Sequence, residues 1–206
     1  MVLGTIFRSR GGDNIVSYSY DEIVSGTGIV TLYGAHSDGS YLLTPSNLIQ
    51  SIAGKTDASA SGGGTVQWLD VDFDVKMNKH TVLRGPCIVN VTVNNTTNGN
   101  DIYIIAKLRH WDGSTETEVE SGTGDTLTHA AGEALVHAAY FEVDPQKIYK
   151  PGDYIRLTIE VWSTTSNTAT ISIAHNPNNA SLGWTSGGSD INEYRLKFPM
   201  PTRIVQ

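Results

Sequence analysis

One nine-residue stretch constrains the fold more than any other part of the chain. In Tyr154-Ile155-Arg156-Leu157-Thr158-Ile159-Glu160-Val161-Trp162, the apolar Ile155, Leu157, Ile159 and Val161 alternate with Arg156, Thr158 and Glu160. A period of two is that of a strand with one buried face, not that of an amphipathic helix. The pattern recurs. Leu69, Val71, Phe73 and Val75 alternate with Asp70, Asp72 and Asp74, and Cys87, Val89, Val91 and Val93 share one side of a further segment. Ile102 to Leu108, Leu135 to Val143, Ala169 to Ile173 and Tyr194 to Met200 are strand candidates of the same kind, and the more polar Thr115 to Val119 reads as an edge strand. Turn signals such as Gly85-Pro86, Asn98-Gly99-Asn100-Asp101 and Pro151-Gly152-Asp153 fall between them.

From Thr65 onward the strand candidates follow at regular spacing, which predicts an all-β fold: a two-sheet antiparallel sandwich, a jelly roll of about eight strands. A seven-stranded immunoglobulin-like sandwich is the alternative. Pro199 and Pro201 suggest that the last strand lies at an edge, because proline cannot donate to a ladder. Residues 1–64 have a different texture. Ile15 to Tyr20, Gly28 to Gly34 and Tyr41 to Leu43 are short strand candidates, and 53–64 is small and flexible in composition. The expected organisation is an N-terminal arm or small β-meander with a linker over 1–64, then the sandwich over 65–206.

Charge and cysteine usage narrow the function. The formal net charge is −7 over 206 residues. No basic stripe is visible, so coating nucleic acid is not expected. No apolar run is long enough for a membrane helix. The N-terminus lacks a charged segment followed by an apolar one, so the expectation is synthesis in a cytoplasm and retention there, or exit without a secretory signal. The single cysteine, Cys87, cannot form an intrachain disulfide and reads as a small buried strand residue.

Little in the sequence points to catalysis. His36, His80, His110, His129, His137 and His175 form no zinc-type pair, and no nucleophile elbow or phosphate loop occurs. His110, beside Trp111, and His175, before Asn176-Pro177, are loop candidates for a site. Carboxylate pairs such as Glu116 with Glu118, or Asp70 with Asp72, have the residue types a hydrolase needs to divide acid and base roles, but they sit on plain alternating strands. Asp70, Asp72 and Asp74 could supply part of a calcium site, since calcium takes several hard oxygens. The alternation favours a solvated face, and no other cofactor is expected. Aromatic side chains are the remaining lead: Trp111 and Trp184 in loops could stack on sugar or bury against a neighbour, as could Tyr103, Tyr140 and Trp162.

Two stretches carry a resemblance. Ser17-Tyr18-Ser19-Tyr20-Asp21 with Gly26-Thr27-Gly28-Ile29-Val30-Thr31-Leu32-Tyr33-Gly34 is one, and Gly152 to Trp162 continuing to Ala174-His175-Asn176-Pro177 is the other. Both resemble virion structural proteins of tailed phages and archaeal viruses. The resemblance implies a structural part of a virus particle, with no catalytic residues carried over. A capsid decoration (cement) protein is the leading expectation: a homo-oligomer, a trimer, docked on the major capsid protein or other virion subunits, with Tyr18, Tyr20, Tyr33, Trp111 and Trp184 as interaction residues. It would be assembled in the host cytoplasm and reside in the virion. The alternative is a carbohydrate-binding module or tail adhesin that recognises a cell surface.

Overall fold

The computed structural model describes residues 27–49, 51, 53–60, 64–96, 99–164 and 168–204. Strands account for every regular element among them. In chain order they are β1 (Thr27–Ser37), β2 (Ser40–Thr44), β3 (Lys55–Ala60), β4 (Val66–Lys76), β5 (Thr81–Asn95), β6 (Asn100–Trp111), β7 (Glu116–Thr123), β8 (Leu127–His129), β9 (Ala134–Tyr149), β10 (Tyr154–Ser163), β11 (Ala169–Ala174), β12 (Thr185–Ser186), β13 (Ser189–Asp190) and β14 (Lys197–Ile204).

Hydrogen bonding runs continuously through the order β3-β11-β5-β14-β1-β2-β4-β10-β6-β7, with β9 on β5 and β8 on β6. This path folds over on itself into two layers. One contains β9, β5, β14 and β1, with β11 and β3 at one end. The other is β4-β10-β6-β7. A single parallel pair, Leu42 with Asp74, joins the layers through β2 and β4. All other pairings of the main sheet are antiparallel.

The alternation seen in the sequence is what fills the space between the layers. Ile155, Leu157, Ile159 and Val161 of β10 meet Phe73 and Val71 of β4, Ile104 and Leu108 of β6, and Val89, Val91, Phe141 and Phe198 from the facing layer in one apolar cluster. Burying side chains of this size contributes about 1.5–3 kcal/mol each. Cys87 is fully buried in the same cluster, and burial pushes its thiol up to about 12. A small satellite core holds Ala134, Ala174, Trp184 and Tyr194.

Four features differ from the reading of the sequence. Residues 27–60, expected to belong to an arm, give three strands to the main sheet: β1 pairs with β14, β3 with β11, and β2 with β1 and β4. Leu32 and Leu43 are buried in the common core, which ties these strands to the body. The last strand is interior, not at an edge. Its ladder with β1 is unbroken across Pro199 and Pro201, whereas its register with β5 shifts between Lys197 and Thr202. The missing proline donors therefore fall on the β5 side, where the ladder is interrupted. On β4, Val161 pairs with Leu69 but Trp162 with Gln67. Trp68 is the extra residue of a bulge, so Trp68 and Leu69 are both buried despite being adjacent. The edge strand, read as Thr115 to Val119, extends through Ser121-Gly122-Thr123.

Candidate functional site

The outer faces of the two layers differ in chemistry. On the β4-β10-β6-β7 layer, most of the residues that turn outward from β4, β10 and β6 carry charge or an aromatic ring, Thr158 and Ile105 being exceptions. Arg156 of β10 is the centre. Its guanidinium makes a bidentate contact with Asp74 (2.7 Å for both Nε and Nη2) and a 2.5 Å contact with Glu116. Glu116 also accepts from Arg109 at 2.6 Å. Arg156 and Arg109 stand directly opposite each other on neighbouring strands, an arrangement that like charges disfavour; the shared Glu116 bridges them. Partial burial acts to raise the Glu116 carboxyl, but the two guanidiniums hold it below its ordinary value. The Asp74 carboxylate, against some loss of solvation, drives the Arg156 guanidinium further up.

Asp72 accepts from the Thr158 hydroxyl. Asp70 accepts from Gln67 at 3.2 Å; partial burial, Asp72 and Glu160 together raise its carboxyl. The sequence correctly placed the three aspartates on one face. Asp74, however, is committed to Arg156, and among the described residues no three His, Cys, Asp or Glu side chains converge to hold a metal ion.

Aromatic pairs stand at both ends of this face. Tyr103 and Trp162, opposite each other on β6 and β10, have ring planes 11° apart with centroids at 6.4 Å. The Trp162 indole N–H donates to Glu160, whose other oxygen accepts from Lys107 at 2.5 Å. At the far end Trp111 lies 4.7 Å from Tyr154 by centroid, with Arg156 4.8 Å from the Trp111 ring centre. Trp111 is therefore the last residue of a strand, half-buried under a guanidinium, and not a free loop platform.

Trp184 does precede the β12 strand in a loop, but it is only 9% exposed, packed in the satellite core. Tyr33 is half-buried on β1, with Arg195 5.6 Å from its ring centre. Tyr18 and Tyr20 lie outside the described residues.

The outer face of β5 and β9 is mixed, with exposed apolar residues beside Asn90 and Thr92 of β5 and Glu142 of β9. Ile88 stands directly opposite Tyr140, and Val136 and Ala138 continue the same side of β9. Ile88 is 44% exposed, Val136 47% and Tyr140 57%. On the same layer Ile29, 71% exposed, pairs with Pro201. Tyr140 was an ambiguous aromatic in the sequence, and Ile88 and Val136 were missed. The detectable signal lay in β9, where Val136, Ala138 and Tyr140 make the second side of the strand apolar as well.

Four of the six histidines have hydrogen-bonding partners within the fold. His110 lies in β6, 2.8 Å from Asp153. His175 is fully buried, its Nε2 2.8 Å from the Thr56 hydroxyl. His129 and His137 contact each other at 2.8 Å. His110 is therefore a strand residue, whereas His175 does lie in a loop, just past β11, but is buried.

No protein-family model matches the chain, and no curated protein does. Among solved structures it is similar to a CocE/NonD family hydrolase from Staphylococcus aureus (TM-score 0.54, 15% identity, 86% of this chain and 37% of that one). It is also similar to an α-amino acid ester hydrolase (TM-score 0.57, 10% identity, 85% of this chain and 36% of that one). The chain spans little more than a third of the length of these hydrolases, and at such identities the likeness is one of fold. A structure of infectious bursal disease virus aligns over 97% of this chain and 42% of that one, at 9% identity and a TM-score of 0.32, which carries no argument.

Proposed function

We propose that this chain is a non-catalytic docking module, a structural component of a virus particle that sits on neighbouring capsid subunits as a decoration protein. The observation that carries the reading is the group of exposed apolar residues on the outer face of β5 and β9, with Ile88, Val136 and Tyr140 each more than two-fifths exposed. An interface core of this kind, with an aromatic anchor amid aliphatic neighbours, suits a protein partner. His110, His129, His137, His175 and Glu116 are bound into structural contacts, which supports a role without turnover. On this reading the protein is a homo-oligomer, a trimer, and its place is the virion.

A second reading has a specific observation in its favour. The Tyr103–Trp162 pair on the opposite layer is fixed by Glu160 and Lys107, which suits stacking on a sugar ring beside hydrogen-bonding groups.

The test uses the full chain and the double substitution Ile88→Ser with Tyr140→Ser. Both residues are exposed, so folding is expected to survive. Affinity capture from the producing cells should return a major capsid protein with the natural chain and lose it with the variant. Light scattering should give three copies. Capture of the capsid protein unchanged by the double substitution overturns the assignment of the face. Glycan binding lost in Trp162→Ala, with no capsid protein captured, overturns the capsid reading.

A further inference from the structure

The region where β8 and β9 meet the body of the sandwich contains two histidines with no role in the docking faces. His129 on β8 and His137 on β9 are 0% and 1% exposed. Their rings lie 9° from parallel with Nε2 atoms 2.8 Å apart. The proton arrangement follows from the partners. His129 Nδ1 is 3.3 Å from the Glu133 carbonyl oxygen. A carbonyl only accepts, so this Nδ1 carries a proton. In a neutral ring its Nε2 is then an acceptor, and the bond between the rings is donated by His137 Nε2–H. His137 Nδ1 is left as a bare nitrogen, buried and without a hydrogen-bond partner.

Both rings are thus satisfied only when neutral. An added proton goes to His137 Nδ1, where the new N–H finds no acceptor, or to His129 Nε2, where it destroys the shared bond. Either outcome sets a cation in a buried site. The neighbours offer little relief. His137 lies opposite Val91 of β5, and His129 opposite Asn100 of β6. The buried polar side chains at the ends of β5 and β6 are Asn94, Asn95 and Asn100, all neutral. β7 passes β9 with Gly122 and Gly124 against its backbone. The Asp101 carboxylate of β6 is engaged by the Thr128 hydroxyl. From the β12 side, Ser186 donates to Glu133, whose carboxylate also accepts from the Ala130 N–H. Among the described residues, Glu133 is the carboxylate that acts on His129, and His129 the group that acts on His137 by charge. Burial lowers both histidines, and with His129 beside it His137 falls to about 3.

The weak element is β8. It pairs with β6 through three residues only, Leu127 with Ile102, Thr128 with Asp101, and His129 with Asn100. β9 by contrast is bound along β5 from Ala134 to Tyr149. The turn after β8 is bonded to the end of β5, where the Gly132 N–H donates to the Asn95 carbonyl at 2.7 Å and the Asn95 N–H to the Glu133 carbonyl at 2.9 Å. We propose that His129 and His137 form an acid-operated latch, and that taking up a proton in mildly acidic solution releases β8 from β6, and its turn from Asn94 and Asn95 of β5, over residues 127–133 while the sandwich stays folded. Once β8 leaves, both imidazoles reach water and titrate freely near their ordinary value, so each proton taken up raises the opening equilibrium tenfold per pH unit.

The experiment is hydrogen exchange on the full chain between pH 7 and pH 4.5, read as protection factors. Protection across 127–133 should fall about tenfold per pH unit below about 6.5 for each histidine that charges, and β10 should hold its protection over the same range. His137→Gln, which keeps a donor towards His129 but cannot charge, should flatten the slope. In parallel, the ring signals of the natural protein should titrate together with the loss of protection. Equal loss across 127–133 and β10, or a slope unchanged in His137→Gln, overturns the latch. So does ring titration complete while 127–133 remains protected; this last arm holds even where the variant fails to fold.

Discussion

Gly122 and Gly124 of the edge strand and its exit are the points where the two layers come closest, and adding one methyl group there tests the account of how the sandwich closes. β7 and β9 belong to different layers and are not neighbours in the hydrogen-bonded path. A Cβ built on Gly122 would lie 2.1 Å from the Tyr140 carbonyl oxygen and 2.7 Å from its carbon. At Gly124 it would lie 2.4 Å from the Ala138 carbonyl oxygen. Ordinary carbon–oxygen contacts begin at about 3.3 Å, so Gly122→Ala must part the strands by about 1 Å. The atoms met are backbone and cannot rotate away. β7 is held by its ladder with β6, where Gly122 pairs with Ala106, and β9 by its ladder with β5. Overpacking of this kind costs up to about 3 kcal/mol. Alanine returns about 0.5–1 kcal/mol by restricting the unfolded chain. The net loss is about 2 kcal/mol, or a Tm lower by about 4–8 °C for a domain of this size. Gly28→Ala is the control, because nothing lies within 4 Å of its Cβ position. Urea unfolding of the full chain, followed by tryptophan fluorescence, measures both. A Gly122→Ala variant as stable as Gly28→Ala, within about 0.5 kcal/mol, would refute the close approach of β7 and β9.

Two further substitutions probe other parts of the molecule. Arg156→Lys keeps the charge but loses the bidentate contact with Asp74 and the stacking on Trp111; calorimetry should record a loss of about 1 kcal/mol, and an unchanged Tm would mean that the network is solvated charge without structural weight. His175 supplies a pH dependence of its own. Burial, with His36 nearby, lowers it to about 4, so the unfolded chain binds this proton between about 6.5 and 4 and the folded chain does not. Stability from this group is complete above about pH 6.5 and is lost as the pH falls towards 4, by about 1.4 kcal/mol per pH unit. Chemical unfolding at pH 7, 6 and 5 should reveal that slope and its reduction by one proton in His175→Gln; an identical slope in the variant would locate the acid sensitivity elsewhere.

The strands that could be read from the sequence were those with a single buried face. β10 alternates without interruption, so its inward residues Ile155, Leu157, Ile159 and Val161 were identified individually, and β6 was read as a strand over Ile102 to Leu108. Features that break the period of two were not legible. The bulge at Trp68 buries two consecutive residues, and nothing in Gln67-Trp68-Leu69 distinguishes an inserted residue from ordinary alternation. Pro199 and Pro201 correctly indicated missing donors, but a missing donor has a direction. Only the partner strand tells whether that direction faces solvent or an interrupted ladder. The His129–His137 pair was invisible for a related reason. Eight residues separate the two, and their meeting depends on the turn that brings β8 alongside β9.

The candidate site shows the same division between local pattern and pairing. Asp70, Asp72 and Asp74 look alike in sequence, one step apart on a strand. They differ because each faces a different residue of β10: Asp74 meets Arg156, Asp72 meets Thr158, and Asp70 meets Glu160. Register alone turns three equivalent carboxylates into one neutralised by a guanidinium, one held by a hydroxyl, and one beside another acid. A face so paired exposes few charges without partners, and its aromatic rings are braced by the same network. The exposed apolar residues of β5 and β9 lie outside that network: Ile88 and Tyr140 stand opposite each other, 44% and 57% exposed. Covering them removes apolar area from water, whereas covering the charged face must replace hydrogen bonds already made. That asymmetry makes β5 and β9 the better side for a permanent protein contact and leaves the opposite layer suited to reversible, polar recognition.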